Sequence, residues 1–267
     1  MMEFQDGMEN EPLTLTSSGG IATITINRPE RRNAITQAMW HDLAVKVRTC
    51  AADAANRVIV LRGAGGDFSA GADISEFSTV RASGASARAY EAANSAAFAA
   101  LRESRLPIIA KIRGICFGGG FGIAAACDLR IASSDALFSV PAARLGLAYP
   151  ADAMADIVGA LGAQMAKYLT FSAARLDANA ALGAGFLLEV VEPDRLEARV
   201  MGLAAAIADN APLSVRASKA AIRAVMSNSP TDFEQAQALG DLTFDSADYA
   251  EGRAAFQQKR RPAFEGK

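Results

Sequence analysis

Apolar residues in the first two thirds of the chain alternate between short β-branched runs and longer stretches with helical spacing. The runs Ile21–Asn27, Val58–Leu61 and Pro107–Ile112 predict buried strands. Apolar residues at every third or fourth position predict helices over 34–54 and 89–103. Further short strands are predicted at Leu129–Ala132, Ala136–Val140 and Leu187–Val191. This strand–strand–helix rhythm predicts an α/β fold that winds as a spiral of short turns.

The pattern changes after about Leu176, where strand signals fade. Three successive helices are predicted at Leu196–Ala208, Leu213–Met226 and Thr231–Thr243. The polar, Ala/Ser/Gly-rich stretch Val80–Arg88 predicts a mobile loop near the site. We therefore divide the chain into a flexible tail over 1–12, a core over 13–195 and a helical region over 196–267.

Composition excludes several classes of protein. The 267 residues are 51% hydrophobic and 21% charged, with a net charge of −2, which is typical of a globular protein that does not bind nucleic acid. No apolar run approaches the roughly 20 residues of a membrane span. The acidic N-terminus is unlike a secretory signal. We therefore expect a cytoplasmic protein without a membrane partner.

The cysteines and the one histidine exclude further kinds of site. Cys50, Cys116 and Cys127 lack the spacing of a zinc site, and we expect small buried thiols that suit a reducing compartment. His41 lies on a predicted helix, far in sequence from the glycine-bearing segments at 68–74 and 114–122, so we assign it a structural or surface role. No metal site is expected.

Two glycine-bearing segments carry the strongest chemical signal. FSAGADI at Phe68–Ile74 and GICFGGGFG at Gly114–Gly122 each follow a predicted strand and lead into a predicted helix. Such junctions leave backbone N–H groups free to hold a developing negative charge. The second segment is not a dinucleotide fingerprint, because the sixth position from Gly118 is Ile123, and it lacks the Gly-Lys-Ser/Thr of a phosphate loop.

Five segments in order resemble the crotonase (enoyl-CoA hydratase/isomerase) superfamily over nearly the whole chain. They are NRPERRNAI at 27–35, FSAGADI, GICFGGGFGIAAACDLRIAS at 114–133, PAARLGL at 141–147 and FQQKRRPAF at 256–264. The resemblance implies an α/β crotonase-like spiral of ββα units with a C-terminal helical trimerisation region. It also implies a homotrimer, or a homohexamer built as a dimer of trimers. The implied substrate is an acyl-CoA, with no cofactor beyond its coenzyme A thioester.

The resemblance also assigns residues to this substrate. The N–H groups of Ala72 and Gly119 match the two that hold the thioester oxygen. The residues that match coenzyme A contacts are Arg31, Arg32 and Ala34 in one loop, Ala70, Asp73 and Ile74 in a second, and Lys259 on the last helix. The alternative for the two arginines is solvated surface charge, and for the lysine a charge favoured by the helix dipole.

The chain departs from the family pattern at two positions. Hydratases of the family use two glutamates to activate a water, and the matching residues here are Gly122 and Ala142. Neither residue can transfer a proton, so the two-glutamate hydration route is closed unless other groups replace it.

The segment over 144–156 offers the replacements. Tyr149 lies in a stretch similar to that of methylmalonyl-CoA decarboxylases, although those enzymes carry a histidine where this chain has Ala72. Asp152 is the second candidate, because other members place an aspartate in this loop. We expect Arg144 to pair with a carboxylate and Asp156 to be an exposed helix residue.

Three functions remain open at this point. The first is an acyl-CoA lyase or isomerase, hydratase-like or a decarboxylase variant, that uses Tyr149 or Asp152 to move protons. The second is a thioester hydrolase in which the same backbone donors stabilise a tetrahedral oxyanion. The third is an acyl-CoA-binding homologue without catalysis. Retention of both glycine segments favours an enzyme.

Overall fold

A computed structural model describes residues 11–267, so most of the predicted tail over 1–12 lies outside the described residues. The strands are β1 Leu13–Ser18, β2 Ile21–Ile26, β3 Val58–Gly63, β4 Ile108–Ile112, β5 Ile115–Phe117, β6 Leu129–Ser133, β7 Leu137–Ser139, β8 Arg175–Asp177 and β9 Glu189–Val191. The helices are α1 Gln37–Ala52, α2 Phe77–Val80, α3 Gly84–Glu103, α4 Gly119–Ala126, α5 Ala151–Ser172, α6 Ala178–Gly183, α7 Leu196–Ala208, α8 Pro212–Ser227, α9 Pro230–Phe244 and α10 Ala247–Gln258. Short 3-10 turns lie at Pro29–Arg31, Ile74–Glu76 and Pro141–Leu145.

The main sheet has six strands in the order β1-β2-β3-β4-β6-β9. The β1–β2 pair is antiparallel and the other pairs are parallel. Along β3, Ile59 and Leu61 belong to the large core that contains α1 and α3, while Val58 and Val60 pack in a second cluster with Leu196 of α7. Both faces of the sheet are therefore covered, which is why its central strands are continuous apolar runs.

A second, three-stranded sheet has the order β5-β7-β8 and carries α4. β5 follows β4 after Gly114, whose φ is +54°. A Cβ added at Gly114 would lie 2.3 Å from the carbonyl oxygen of Gly66, so only glycine allows this close approach. The bend takes the chain out of the main sheet and directs it toward the start of α4.

The loop predicted over Val80–Arg88 is wrong. α2 ends at Val80 and α3 begins at Gly84, so only three residues separate the two helices. Ser83 caps α3: its hydroxyl accepts from the N–H of Ser86, and the hydroxyl of Ser86 accepts from the N–H of Ser83. The polar residues that indicated a loop are therefore a helix-start signal.

The C-terminal region is helical as predicted, and α7 has the predicted bounds. Several large apolar side chains of α8, α9 and α10 are exposed. They include Ile222, Val225, Met226, Phe233, Leu242, Phe244 and Phe256. Within residues 11–267, no helix combines the length and the apolar character that crossing a membrane requires.

Candidate active site

The two glycine segments lie side by side. The N–H of Ser69 donates to the carbonyl of Ile115 and the carbonyl of Ser69 accepts from the N–H of Phe117, both at 2.9 Å, which forms a parallel bridge to Cys116. The hydroxyl of Ser69 donates to the carbonyl of Asn33 at 2.8 Å and accepts from the N–H of Gly71. These bonds hold the first segment between the loop over 31–35 and β5.

The amide of Ala72 is directed away from the bonds that fix its segment. The N–H of Ile35 donates to the carbonyl of Gly71 and the N–H of Asp73 donates to the carbonyl of Ile35, at 2.8 and 2.9 Å. In a parallel bridge of this kind, the N–H of the residue in between points to the opposite side. The hydrogen bonds observed over residues 11–267 include none donated by the Ala72 amide.

The amide of Gly119 is the first of α4 and therefore has no partner within the helix. The preceding Gly118 has φ +51° and ψ −121°, and its own N–H donates to the carbonyl of Ser139 at 2.9 Å. That bond fixes the strand-to-helix junction. Among the described residues, no acceptor is observed for the Gly119 N–H, which lies at the positive end of the helix.

The two amides are neighbours because the chain segments touch without side chains between them. A Cβ added at Gly71, whose φ is +92°, would lie 2.7 Å from the nitrogen of Gly119 and 2.7 Å from the carbonyl oxygen of Phe117. A Cβ added at Gly119 would lie 3.5 Å from the nitrogen of Ala72. The site is therefore a pair of adjacent backbone donors that the fold leaves unpaired.

Six of the seven predicted coenzyme A contacts come together in space. Arg31 and Arg32 are exposed on the loop that precedes α1, and the N–H of Ala70 donates to the carbonyl of Arg32 at 2.9 Å. The bonds between the loop over 31–35 and the segment over 68–74 also place Ala34 near Asp73 and Ile74. Ile74 is exposed, with 65% of its surface accessible.

Lys259 is not on the last helix. α10 ends at Gln258, and Lys259 is the exposed residue that follows it in a left-handed conformation, with φ +52°. The main packing partner of α10 is α9. Within residues 11–267, no observed hydrogen bond or ion pair joins this lysine to the two loops that carry the other predicted contacts.

The side chain of Asp73 is used within the protein. Its carboxylate accepts from the Ser75 hydroxyl at 2.6 Å and from Arg28 Nη1 at 2.9 Å, and the same Nη1 donates to the carbonyl of Ala34. The hydrogen bond from Ser75 and then the one from Arg28 lower the pKa of Asp73, while burial partly opposes them. Arg28, which sequence reasoning missed, therefore ties the two loops together.

Gly122 and Ala142 are the positions at which the resemblance places glutamates. A Cβ added at Gly122 would lie 2.8 Å from Cζ of Phe98, so the aromatic ring occupies the space that a side chain would need. Phe98 is buried and packs edge-to-face on Trp40 with ring centroids 5.5 Å apart. Ala142 is half-buried in a 3-10 turn, and its carbonyl accepts from the N–H of Leu147.

Of the two candidate proton carriers, Tyr149 is the more enclosed. Its hydroxyl oxygen is buried and has no hydrogen-bond partner among the described residues. Burial, followed by the nearby Cys116 and Glu91, raises the pKa of Tyr149 well above its usual range, so the phenol is neutral. Asp152 lies in the first turn of α5 and accepts a hydrogen bond from the hydroxyl of Ser95 at 3.3 Å.

Two expectations about the same segment are wrong. Arg144 is exposed and forms no ion pair within residues 11–267. Asp156 is not exposed: only 8% of its side chain is accessible, and it pairs with Arg102 of α3. Burial raises the pKa of Asp156, and the bond from Arg102 partly offsets that effect. α5 packs against α3, which the sequence pattern alone did not indicate.

A stripe of residues on α3 was missed altogether. Tyr90, Asn94 and Phe98 recur at four-residue spacing and are buried. The indole N–H of Trp40 donates to the hydroxyl of Tyr90 at 3.0 Å, and burial raises the pKa of Tyr90 to about 12. A polar Asn94 on an otherwise apolar helical stripe was the available signal.

The expected buried thiols are confirmed, since Cys50, Cys116 and Cys127 are all free and buried. His41 is exposed, as a surface role requires. Across residues 11–267, no group of three or more histidine, cysteine, aspartate or glutamate side chains is arranged to hold a metal ion.

Comparison with known proteins agrees with this architecture. The sequence profile of the family described as Enoyl-CoA hydratase/isomerase matches residues 16–267. A short-chain-enoyl-CoA hydratase of Clostridium acetobutylicum is 33% identical over 258 residues, covering 95% of this chain and 97% of that protein. A crotonyl-CoA hydratase of Syntrophomonas wolfei is 31% identical over 262 residues, covering 96% and 99%.

Solved structures agree as well. The crystal structure of an enoyl-CoA hydratase/carnithine racemase from Magnetospirillum magneticum superposes with a TM-score of 0.91 at 36% identity, covering 96% of each chain. The α/β crotonase-like fold expected from the five sequence segments is therefore confirmed. The chain belongs to the enoyl-CoA hydratase/isomerase family.

Proposed function

We propose that this protein is an acyl-CoA lyase or isomerase that stabilises a thioester enolate between the amides of Ala72 and Gly119. The observation that carries the proposal is that the Ala72 amide is unpaired and lies beside the unpaired Gly119 amide at the start of α4. A thioester oxygen gains negative charge when a proton leaves the α carbon, and fixed donors stabilise that charge without reorganisation. Each donor of this type contributes about 3–4 kcal/mol to the transition state.

The proton-transferring half of the site is non-standard in this proposal. Gly122 and Ala142 carry no acid or base, and the ring of Phe98 fills the space beside Gly122. Tyr149 is the enclosed candidate, because its buried hydroxyl has no partner among the described residues. Its raised pKa makes it a proton donor and not a base near neutral pH. Asp152 is less available for proton transfer, since its carboxylate already accepts a hydrogen bond from Ser95.

Coenzyme A itself would lie across the two bonded loops. Arg31 and Arg32 are exposed cations that suit its phosphates. Asp73 would contribute through its backbone, because its carboxylate is engaged by Arg28 and Ser75. Lys259 would reach the phosphates only of a coenzyme A that extends to the end of α10.

Crotonyl-CoA in heavy water tests the proposal. The loss of the conjugated thioester absorbance reports turnover, and mass spectrometry reports deuterium at the α carbon. We expect Tyr149→Phe to lower kcat by about 100-fold, because it removes the proton donor and keeps the ring. Asp152→Asn should stay within a few-fold of the unsubstituted protein.

Tyr168→Phe is the matched control, since Tyr168 lies on α5 and is half exposed. Full turnover by both Tyr149→Phe and Asp152→Asn would refute the choice of proton carriers. If the protein binds a panel of acyl-CoA thioesters tightly but shows neither turnover nor deuterium uptake, it is a non-catalytic acyl-CoA-binding protein and not an enzyme. Release of free coenzyme A would instead identify a thioester hydrolase.

We further propose that the chain assembles as a homotrimer or a homohexamer. The support is the set of exposed apolar side chains on α8, α9 and α10, such as Ile222, Met226 and Phe233, which water-exposed helices rarely carry together. Sedimentation equilibrium should therefore give three or six times the mass of one chain, which is 27.8 kDa. A single-chain mass at micromolar concentration would contradict this assembly.

A further inference from the structure

We propose that Glu91 on α3 is the proton acceptor of this site, that Arg81 positions it and that Tyr149 is the proton donor beside it. The inference rests on the proposed function and supplies the base that Gly122, Ala142 and a neutral Tyr149 do not provide. It is carried by four observations on the packing of α3 against α4 and α5.

The first observation is the face that α3 presents. Glu91, Ser95 and Phe98 are three to four residues apart and therefore lie on one side of the helix. Phe98 contacts Gly122 of α4, and Ser95 donates to Asp152 of α5. The side of α3 that carries Glu91 is therefore the side that covers both helices next to the paired amides.

The second observation is the relative direction of α3 and α5. Ser95 bonds Asp152, and Arg102, two turns further along α3, pairs with Asp156, one turn further along α5. The two helices thus advance in the same sense. The turn of α3 that precedes Ser95, which carries Glu91, consequently faces the segment that precedes Asp152, which carries Tyr149. The charge of Glu91 accordingly contributes to the raised pKa of Tyr149.

The third observation is a concentration of unpaired polar atoms. Over residues 11–267, four buried side-chain nitrogen or oxygen atoms have no hydrogen-bond partner, and three of them are Arg81 Nε, Asn94 Oδ1 and Tyr149 Oη. Arg81 pairs with Glu91, Asn94 follows Glu91 by one turn of α3, and the charge of Glu91 acts on Tyr149. Buried polar atoms are almost always paired in native proteins, so three unpaired ones on residues linked to Glu91 in these ways indicate a place where a ligand completes the bonding.

The fourth observation is that Glu91 is held in position. Arg81 forms an ion pair with its carboxylate. The guanidinium carbon of Arg81 lies 4.6 Å from the ring centroids of both Phe77 and Tyr90, which fixes the cation between two aromatic faces. A carboxylate fixed by a stacked arginine loses little freedom when it acts as a base, as preorganised catalysis requires.

Glu91 and Tyr149 can move a double bond in the acyl chain without any further reactant. The carboxylate of Glu91 takes the proton from the α carbon, and the C–H electron pair forms the enolate double bond while charge moves to the thioester oxygen between the amides of Ala72 and Gly119. In a 3-enoyl thioester, the phenol of Tyr149 then protonates the γ carbon, which moves the double bond to the 2,3 position. Glu91 returns its proton to the phenolate, which restores both residues.

The test uses the full-length protein and butyryl-CoA, which can exchange its α protons without net reaction. Exchange into heavy water is followed by mass spectrometry, and binding is measured by calorimetry. We expect Glu91→Gln, which can still hydrogen bond to Arg81, to slow exchange by about 100-fold while the dissociation constant stays within about three-fold. Glu103→Gln, at the exposed end of the same helix, should exchange at the unsubstituted rate.

Two variants separate a catalytic from a structural role. Glu91→Asp should recover part of the exchange, and formate should partly restore exchange in Glu91→Ala, because a small carboxylate can enter the space left by the side chain. Two results overturn the assignment of Glu91 and leave the proposed function intact. One is exchange in Glu91→Gln at the unsubstituted rate. The other is a loss of exchange that neither the aspartate variant nor formate relieves. Absence of exchange in the unsubstituted protein overturns the proposed function itself.

Discussion

Gly119→Pro should lower kcat by about 1,000-fold, the loss expected when one of two donors to a developing oxyanion is removed. Proline deletes the N–H of the first residue of α4. It is tolerated at the first position of a helix, where the N–H has no helical partner. Helix α4 should therefore persist while the donor disappears.

Proline also adds a Cβ, and the steric effect of that atom must be measured separately. A Cβ at Gly119 would lie 2.9 Å from both Cζ2 and Cη2 of the buried Trp40 ring. Gly119→Ala introduces the same contact but keeps the N–H. The ratio of the two rates, measured on proteins with confirmed folded circular dichroism spectra, isolates the contribution of the donor. Equal rates for the proline and alanine variants would remove Gly119 from the proposed oxyanion site.

The second donor can be deleted without adding any atom. Replacing Ala72 by lactic acid converts its amide to an ester and keeps the methyl group, so Trp40 and the neighbouring glycines are undisturbed. We expect the same order of loss, about 100-fold or more. A fully active ester variant would show that the paired amides do not act together.

Gly122→Glu should not restore a hydratase; it should destabilise the fold by about 3 kcal/mol or more. The first atom of the new side chain would lie 2.8 Å from Cζ and 3.1 Å from Cε1 of Phe98, which is buried and packs against Trp40. Overpacking of this kind costs about 1–3 kcal/mol. A buried carboxylate without a partner adds several kcal/mol more, or stays protonated.

Chemical denaturation of three variants separates these effects. Gly122→Ala carries only the steric cost, and Gly122→Glu carries the cost of the charge as well. Phe98→Ala opens space, so Gly122→Glu should cost less in that background than alone, which a double-mutant cycle measures. If Gly122→Ala were as stable as the unsubstituted protein to within about 0.5 kcal/mol, the proposed steric conflict with Phe98 would be refuted.

The sequence predicted those parts of the fold that local signals determine. The buried strands β3 and β4 are apolar on both faces, and α7 carries apolar residues at helical spacing, so periodicity located them. The serines and the glycine of the stretch over 80–88 predict a loop, because these residues favour flexible backbone. In the structure Ser83 and Ser86 bond each other's N–H groups and begin α3. A capping box and a loop share residue types, and only the geometry separates them.

The candidate site divides in a similar way. The glycines indicate free backbone donors at two junctions, while the choice of Ala72 and Gly119 comes from the resemblance to the crotonase superfamily and stays a prediction. The other side chains of the candidate site lie on α3, and they belong to the site only because the face of α3 that carries them covers α4 and α5. Phe98 and Glu91 are ordinary helix residues in the sequence. They acquire their chemical setting from contacts outside α3, Phe98 with Gly122 of α4 and Glu91 with Arg81.

Trp40 gives the protein an intrinsic optical reporter. It is the only tryptophan in the sequence, its ring borders the space that a Cβ at Gly119 would enter, and its indole N–H donates to the hydroxyl of Tyr90. The emission of an indole depends on the polarity and the hydrogen bonding of its surroundings. The tryptophan fluorescence of the unlabelled protein therefore comes from one ring beside Gly119, where the arrival of an acyl group at the proposed oxyanion site can be followed in real time.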